Sequence, residues 1–442
     1  MRDSERVRNA LDPLPSELLV EPLAAAPDLT MRPPGSKSIT NRALLCAAVA
    51  AGRSRLTGLL LADDTAAMLD VVQGLGATVN LDETTGAADV VGTDPRQATA
   101  SIELMTRQSG TTSRFVLPLA ALRPGHTVVD GSEQLRARPF GPLFAALRDL
   151  GSDVRPLGEH PDRLPVQVTG PVTGGEVRLP GHLSSQFLSG LLMSGPLMPR
   201  GLHVQLTSPL VSVPYVTMTA AVMAAFGVTV DDPGEGRLAV QPQAYRPTDY
   251  DVEPDASAAS YLMAAAAITG GRVTVEGLGT GSLQGDMAFA DILEQMGATV
   301  DRTPRATTVR GPAQLHGVDV DMADLSDTAQ TLAAVACFGS SPTRVRGIGF
   351  IRGKETDRIG AVVTELRRAG IDAVEHDDGF TVHPGTPEPT SFETYDDHRM
   401  AMSLALLGLR VPGIRIRQPG CVAKTYPAYF ADLARLGGAT AR

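Results

Sequence analysis

Apolar and polar positions recur along the chain in one order: a stretch of helical period, an apolar residue, a glycine, then a short β-like run. The marker reads Leu75-Gly76-Ala77-Thr78-Val79, Leu150-Gly151-Ser152-Asp153-Val154, Phe226-Gly227-Val228-Thr229-Val230, Met296-Gly297-Ala298-Thr299-Val300 and Ala369-Gly370-Ile371-Asp372-Ala373. Leu436-Gly437-Gly438-Ala439-Thr440 closes the series. Each glycine suits the left-handed position just past a helix end, after which a strand can begin. A second helix precedes each marker by about 40 residues, the in-phase signature of a true repeat. These helices open near Lys37, Thr111, Ser185, Asp255, Asp327 and Asp397, with hydroxyl or acidic residues where N-caps belong. The spacing predicts six copies of a unit of about 70 residues, each with two helices and several short strands. Three units per domain make two domains of similar size. Ala256 to Ile268 is apolar almost all round, so the first helix of each pair is expected to be buried against other helices.

Composition narrows the function classes. With 43% hydrophobic and 20% charged residues, the 442-residue chain reads as globular with ample core. A net charge of −10 and aromatics at 4%, with no tryptophan, argue against nucleic acid as the main partner. The longest apolar runs, Ala43 to Ala51 and Tyr261 to Ile268, fall short of the roughly 20 residues of a membrane span. Met1 to Ala10 carries charges of both signs and does not read as a signal peptide. Cys46, Cys337 and Cys421 are far apart, which fits a reducing cytoplasm. Lysine occurs only at Lys37, Lys354 and Lys424, although Lys and Arg together number 39.

The six helix starts differ between the halves. The first half offers Ser36-Lys37-Ser38, Ser109-Gly110-Thr111-Thr112-Ser113 and Ser184-Ser185-Gln186: neutral donors and a cation at helix N-termini, where free N–H groups and the dipole attract anions. The second half offers Asp255, Asp327 and Asp396-Asp397, which either cap their helices or accept from hydroxyl groups. For Asp255 the two readings are equally open. If the two halves face each other, the pattern suits a small polyanion bearing hydroxyls. Arg136-Ala137-Arg138, the mixed run Arg352 to Arg358 and His398-Arg399 supply further cations. For the run Arg352 to Arg358, a salt-bridged surface loop stands beside the binding reading. Pro34-Gly35-Ser36-Lys37-Ser38 lacks the upstream glycine of a phosphate-binding loop, and no zinc-protease or serine-hydrolase motif occurs.

Several of these stretches are long enough to be specific. Pro34-Gly35-Ser36-Lys37-Ser38-Ile39-Thr40-Asn41-Arg42 resembles the N-terminal signature of the 5-enolpyruvylshikimate-3-phosphate synthase family. Arg138-Pro139, Ser184-Ser185-Gln186-Phe187, Asp255-Ala256-Ser257 and Lys354-Glu355-Thr356-Asp357-Arg358 match further on, as do Tyr395 to Met402 and Cys421 to Pro427. The resemblance runs in order from about residue 20 to the C-terminus; residues 1 to about 15 lie outside it and are expected to be a flexible extension. It implies an α/β fold: a two-domain inside-out α/β barrel of six βαβαββ units. The domains expected are residues 1–33 with 254–442, and 34–253, with the active site in the cleft between them. The chain then crosses between domains near Pro33-Pro34 and near Glu253-Pro254.

The implied reaction moves the enolpyruvyl group of phosphoenolpyruvate to the 5-hydroxyl of shikimate 3-phosphate, a step of chorismate and aromatic amino acid biosynthesis, by addition and then elimination of phosphate. Such a path needs an acid at the methylene carbon, a base at the hydroxyl and cations for the anions. By the resemblance, Asp327 deprotonates the hydroxyl, Glu355 carries the proton at the methylene carbon, and Lys37 contacts the phosphate and acts as an acid. Lys37, Gly110, Arg138, Gln186, Arg358, Arg399 and Lys424 hold phosphoenolpyruvate. Gly110 and Thr111 line the side where glyphosate competes in this family. Lys37, Ser38, Arg42, Ser184, Ser185, Gln186, Ser212, Tyr215, Asp327 and Lys354 hold shikimate 3-phosphate. No cofactor and no metal are implied; the two small molecules are the expected partners, with no nucleic acid and no membrane, for a cytoplasmic monomer. Three positions depart from the family pattern: Gln108-Ser109 where Asn-Ala is common, Phe350 where Asn is common, and Val213 where Lys is common. Two alternatives stand beside this reading: the enolpyruvyl transferase acting on UDP-N-acetylglucosamine, which usually has Asn after the first lysine, and a non-catalytic sensor of a phosphorylated hydroxy acid.

Overall fold

The computed structural model describes residues 14–437. Most of the expected N-terminal extension, and Gly438-Ala439-Thr440 of the sixth marker, lie outside the described residues. Internal contacts divide the chain into two compact units: Gly35–Val252, and the described residues up to Pro34 together with those from Glu253 on.

In the Gly35–Val252 unit, the strand, helix, strand, helix, hairpin order recurs three times. Ile102–Met105 pairs parallel with His126–Asp130, which pairs antiparallel with Val166–Thr169, itself the partner of Asp153–Pro156. Gly175–Leu179, Leu202–Leu206, Arg237–Val240 and Asp231–Gly234 repeat that order. In the remaining sheet the parallel first strand is Tyr250–Asp251, from the far end of the unit, beside Arg53–Thr57. The terminal unit mirrors this exchange: Asp28–Met31 is the parallel neighbour of Arg272–Glu276. Its second sheet is Asp319–Asp321, Thr343–Arg346, Gly379–Val382 and Ala373–His376. Its third has three strands, because Glu17–Val20 pairs antiparallel with Ile414–Arg417 where the other sheets have a hairpin.

The sheets alternate buried and exposed residues, as in Gly175–Leu179, so one face meets the core and the other meets water. The first helix of each repeat lies inside. Gly110–Ala120 and Ser185–Ser194 pack on each other, and Ala256–Thr269, Ala329–Ala336 and His398–Gly408 do so in the terminal unit. Every residue from Ala256 to Ile268 is buried, which its all-round apolar pattern predicts. Five of the marker glycines, Gly76, Gly151, Gly227, Gly297 and Gly370, adopt positive φ and release a helix into a strand or loop. The sixth, Gly437, does not.

Two local expectations are corrected. Val228-Thr229-Val230 is not a strand; pairing starts at Asp231. The Gln243 side-chain amide takes the Thr229 backbone instead, accepting from its N–H at 3.0 Å and donating to its carbonyl at 3.1 Å. Nor does the fifth inner helix start at Asp327. A 3-10 turn, Ser326–Thr328, comes first, and the α-helix begins at Ala329.

Candidate active site

Each unit gathers a polar cluster at its inner helix starts. In the Gly35–Val252 unit the caps are serines: Ser36, Ser109 and Ser184 accept from the backbone N–H groups of Ile39, Thr112 and Gln186. Each such cap is worth about 1 kcal/mol and holds its loop at the helix mouth. Lys37 Nζ lies 3.3 Å from Asp64, whose side chain is buried. Thr112 Oγ1 donates to the Asp64 carbonyl at 3.3 Å, which links the first helix start to the second. The second is joined to the third by Gln186, whose amide donates to Thr111 Oγ1 at 3.1 Å and accepts from Arg114 Nη1 at 2.6 Å. Arg114 is held between Phe140 and Phe187, at 5.3 and 5.1 Å from the ring centres. Gly110 closes the group: a Cβ built on it would lie 2.9 Å from Arg138 Nη1. Arg138 is buried, whereas Arg136 turns outward to Asp130.

Arg42 has a different setting. It is 1% exposed, and its guanidinium donates to Thr219 Oγ1 at 2.8 Å, the Ser38 carbonyl at 2.7 Å, the Tyr215 carbonyl at 3.1 Å and Ser189 Oγ at 3.4 Å. Burial pulls its pKa down to about 10. It ties the first helix to the Ser185–Ser194 and Val213–Ala225 helices, and so sets Ser38 beside Tyr215. Ser212 precedes the latter helix in the left-handed region, with φ 55°. Val213 is exposed there.

The terminal unit builds its cluster from acids. Asp255 and Asp397 cap their helices, accepting from Ala258 N and Arg399 N at 2.9 Å each. Asp327 does not cap. It accepts from Arg399 Nη2 at 2.6 Å and Arg358 Nη1 at 3.2 Å. Arg358 also reaches Asp397 through Nε at 2.7 Å and Glu355 through Nη2 at 2.8 Å. Lys424 Nζ grips the other Glu355 oxygen at 3.0 Å. Burial alone would lower the Arg358 pKa, but the charges of Asp397, Glu355 and Asp327 outweigh it and hold it above its ordinary value. The buried His398 Nδ1 lies 3.7 Å from Asp397. Tyr395 and Asp396, both at positive φ, turn the chain into this helix start.

The run Arg352 to Arg358 divides between the two readings. Arg352 pairs with Asp357 and Glu375 on the surface, both at 2.7 Å, and Asp357 caps the Arg358–Arg368 helix. Glu355 and Arg358 belong to the inner cluster. The Lys354 ammonium lies 6.0 Å from the centre of the Phe350 ring, so the Phe350 departure has a local partner.

Sequence reasoning missed Asp64, Arg114 and Asp286, and gave Ser257, inside the Asp255-Ala256-Ser257 motif, no role of its own. Asp64 opens its own helix after Asp63 and reads as ordinary first-turn acid; Arg114 lies in a helix interior with no motif to mark it. Among the described residues, no group of three or more His, Cys, Asp or Glu side chains could hold a metal ion, and no helix is long and apolar enough to cross a membrane.

Comparison with known proteins adds the family. The model described as EPSP synthase (3-phosphoshikimate 1-carboxyvinyltransferase) matches residues 28–433. A 3-phosphoshikimate 1-carboxyvinyltransferase of Nostoc punctiforme is 43% identical over 404 residues, 91% of this chain and 95% of its own. A chloroplastic one of Nicotiana tabacum is 40% identical over 437 residues, 94% of this chain and 84% of its own. A solved EPSP synthase from Acinetobacter baumannii superposes with a TM-score of 0.79 at 27% identity, covering 95% of this chain and 97% of its own.

Proposed function

The chain belongs to the EPSP synthase (3-phosphoshikimate 1-carboxyvinyltransferase) family, and from that premise we propose that it transfers the enolpyruvyl group of phosphoenolpyruvate to the 5-hydroxyl of shikimate 3-phosphate. One observation carries the reading: Asp327 and Glu355 are bridged by a single buried guanidinium, with Arg399 on the far side of one and Lys424 on the far side of the other. With the buried Asp397 on the same guanidinium, three carboxylates and three cations form one cluster, which suits a reaction that moves two protons around a polyanion.

In the addition step the hydroxyl oxygen forms a bond to C2 of phosphoenolpyruvate. Asp327 takes the hydroxyl proton, and Glu355 gives a proton to the methylene carbon. In the elimination step a methyl proton returns to Glu355, the C–O bond to phosphate breaks, and the hydroxyl proton held by Asp327 ends on the departing phosphate. A phosphoenolpyruvate anion competes for the same N–H groups of Arg358, Arg399 and Lys424, so its arrival loosens Asp327 and Glu355 for proton transfer. Lys37, Gly110, Thr111, Arg138 and Gln186 complete the phosphoenolpyruvate set, supported by the chain of contacts through Asp64 and Arg114. Lys37 also serves as an acid at the phosphate.

Ser38, Ser184, Ser185, Gln186, Ser212, Tyr215 and Lys354 serve shikimate 3-phosphate, with Arg42 bracing Ser38 and Tyr215 from behind. The relatives carry the 3-phosphoshikimate acceptor in their names, which favours it over UDP-N-acetylglucosamine and an enzyme over a sensor. We place the protein in the cytoplasm as a monomer; the three free cysteines, two of them buried, suit a reducing compartment. The test is phosphate release from the two substrates together. Turnover dependent on both is expected; none from that pair defeats the reading.

A further inference from the structure

Asp286 lies in the Gly285–Ala288 turn against the first turn of the Ala256–Thr269 helix and is 4% exposed. It accepts a short hydrogen bond from the Ser257 hydroxyl through Oδ2. Its Oδ1 has no hydrogen-bond partner among the described residues. Ser257 Oγ in turn accepts from Arg399 Nη2 at 3.5 Å, the same nitrogen that holds Asp327 at 2.6 Å. A buried carboxyl with one open oxygen is costly to retain for packing alone, and no role assigned above uses it.

We propose that Asp286 is a positioning residue that, through Ser257, sets the grip of Arg399 on the phosphoenolpyruvate anion. The inference rests on the function proposed above and deepens it. The groups facing Asp286 are Asp327 from the Ser326–Thr328 turn, Arg399 from the His398–Gly408 helix, and Asp255 and Ser257 at the head of the Ala256–Thr269 helix. Burial pushes its pKa up to about 7, Asp327 and Asp255 add to the rise, and Ser257 and Arg399 oppose it. The sign follows. Below about 7 the carboxyl is neutral, and the full charge of Arg399 serves Asp327 and the incoming anion. Above it the carboxylate adds a second negative charge next to that guanidinium, and an anionic ligand binds less tightly. Ser257 Oγ keeps two acceptor lone pairs, so it can accept from Arg399 in both states, whether its proton goes to the ionised carboxylate or to the carbonyl oxygen of the neutral carboxyl.

The experiment compares the wild type with Asp286→Asn, Asp286→Ala and Ser257→Ala in steady-state turnover from pH 5.5 to 9, after thermal melts have shown each variant folded. Ionisation of the substrate cancels in the ratio of wild type to Asp286→Asn. That ratio of kcat/KM for phosphoenolpyruvate should be within twofold of unity at pH 6 and fall about fivefold by pH 8.5, the effect of one nearby charge partly screened. Asp286→Ala should raise KM for phosphoenolpyruvate about fivefold even at pH 6, and Asp286→Asn should restore it, since the amide can still engage Ser257. KM for shikimate 3-phosphate should stay put throughout. If Asp286→Asn does not fold, Ser257→Ala decides: a KM for phosphoenolpyruvate raised about threefold at pH 6 supports the link, and an unchanged one overturns it. A ratio flat with pH, or losses shared equally by both substrates, also overturns it. A wild type with no turnover refutes the proposed function instead.

Discussion

Gly110→Ala perturbs the phosphoenolpyruvate group by one methyl. Gly110 begins an α-helix at negative φ, so alanine fits the backbone and suits a helix. The new Cβ would stand 2.9 Å from Arg138 Nη1, 3.5 Å from Arg114 Nη1 and 3.8 Å from Leu135 Cδ1. Only the first contact is shorter than van der Waals distance allows. Its atom ends a flexible side chain, so the fold survives and the guanidinium retreats by roughly 0.5 Å. A charge-assisted hydrogen bond stretched from about 2.9 to about 3.4 Å is close to its limit and loses about 1–2 kcal/mol. That corresponds to roughly a tenfold rise in KM for phosphoenolpyruvate. Steady-state phosphate release with each substrate varied in turn should show that rise, with KM for shikimate 3-phosphate within twofold and an unchanged melting temperature. An unchanged KM for phosphoenolpyruvate would mean that Arg138 does not hold that anion, and equal losses on both substrates would mean that the methyl disturbs more than one guanidinium.

Asp327→Asn and Glu355→Gln remove proton acceptors while keeping shape; each should lower kcat by about 10²- to 10⁴-fold with KM values changed little, and losses shared equally between binding and turnover would refute the proton-transfer roles. Arg42→Met removes the four hydrogen bonds that the buried guanidinium donates to Thr219, Ser189 and the Ser38 and Tyr215 carbonyls, so stability should fall by about 3 kcal/mol. A melt within a degree of wild type would show that Arg42 is not the brace its contacts describe.

The repeat was legible because two independent signals, a helix stop with glycine and a helix start with a capping residue, had to stay in phase. The pairing of Asp28–Met31 with Arg272–Glu276 and of Tyr250–Asp251 with Arg53–Thr57, each within its own unit, was not in that pattern, since strand partners hundreds of residues apart leave no local period. The clusters were legible where a residue sat in a long motif, as Arg358 and Arg399 do. They were illegible where a helix interior or an ordinary first turn supplied the side chain, as with Arg114, Asp64 and Asp286. Asp327 shows the limit in the other direction. It lies in the 3-10 turn just before the helix at Ala329, and the two guanidiniums on it separate it from the capping acids Asp255 and Asp397.

The rarity of lysine can be tested at the positions that keep it. Arg358 bridges three carboxylates because a flat fork offers N–H groups in several directions. Lys424 binds differently. Its single ammonium meets one oxygen of Glu355 at 3.0 Å while Arg358 takes the other at 2.8 Å, and its side chain is 5% exposed. A guanidinium in that slot is wider than the space the ammonium fills, and overpacking a buried site costs about 1–3 kcal/mol. Lys424→Arg should therefore push Arg358 or Glu355 aside and lower kcat about tenfold or more. Lys354 offers the contrast. It is half-buried over the Phe350 ring at 6.0 Å, a setting in which arginine stacks at least as well. Lys354→Arg should keep kcat within about threefold, with its effect confined to KM for shikimate 3-phosphate. Steady-state kinetics on the two variants decide between chemistry and drift. A large loss at position 424 with a small one at 354 ties lysine to a site that needs a compact charge. Full activity in Lys37→Arg, Lys354→Arg and Lys424→Arg alike would show that the chain keeps three lysines for no reason of chemistry.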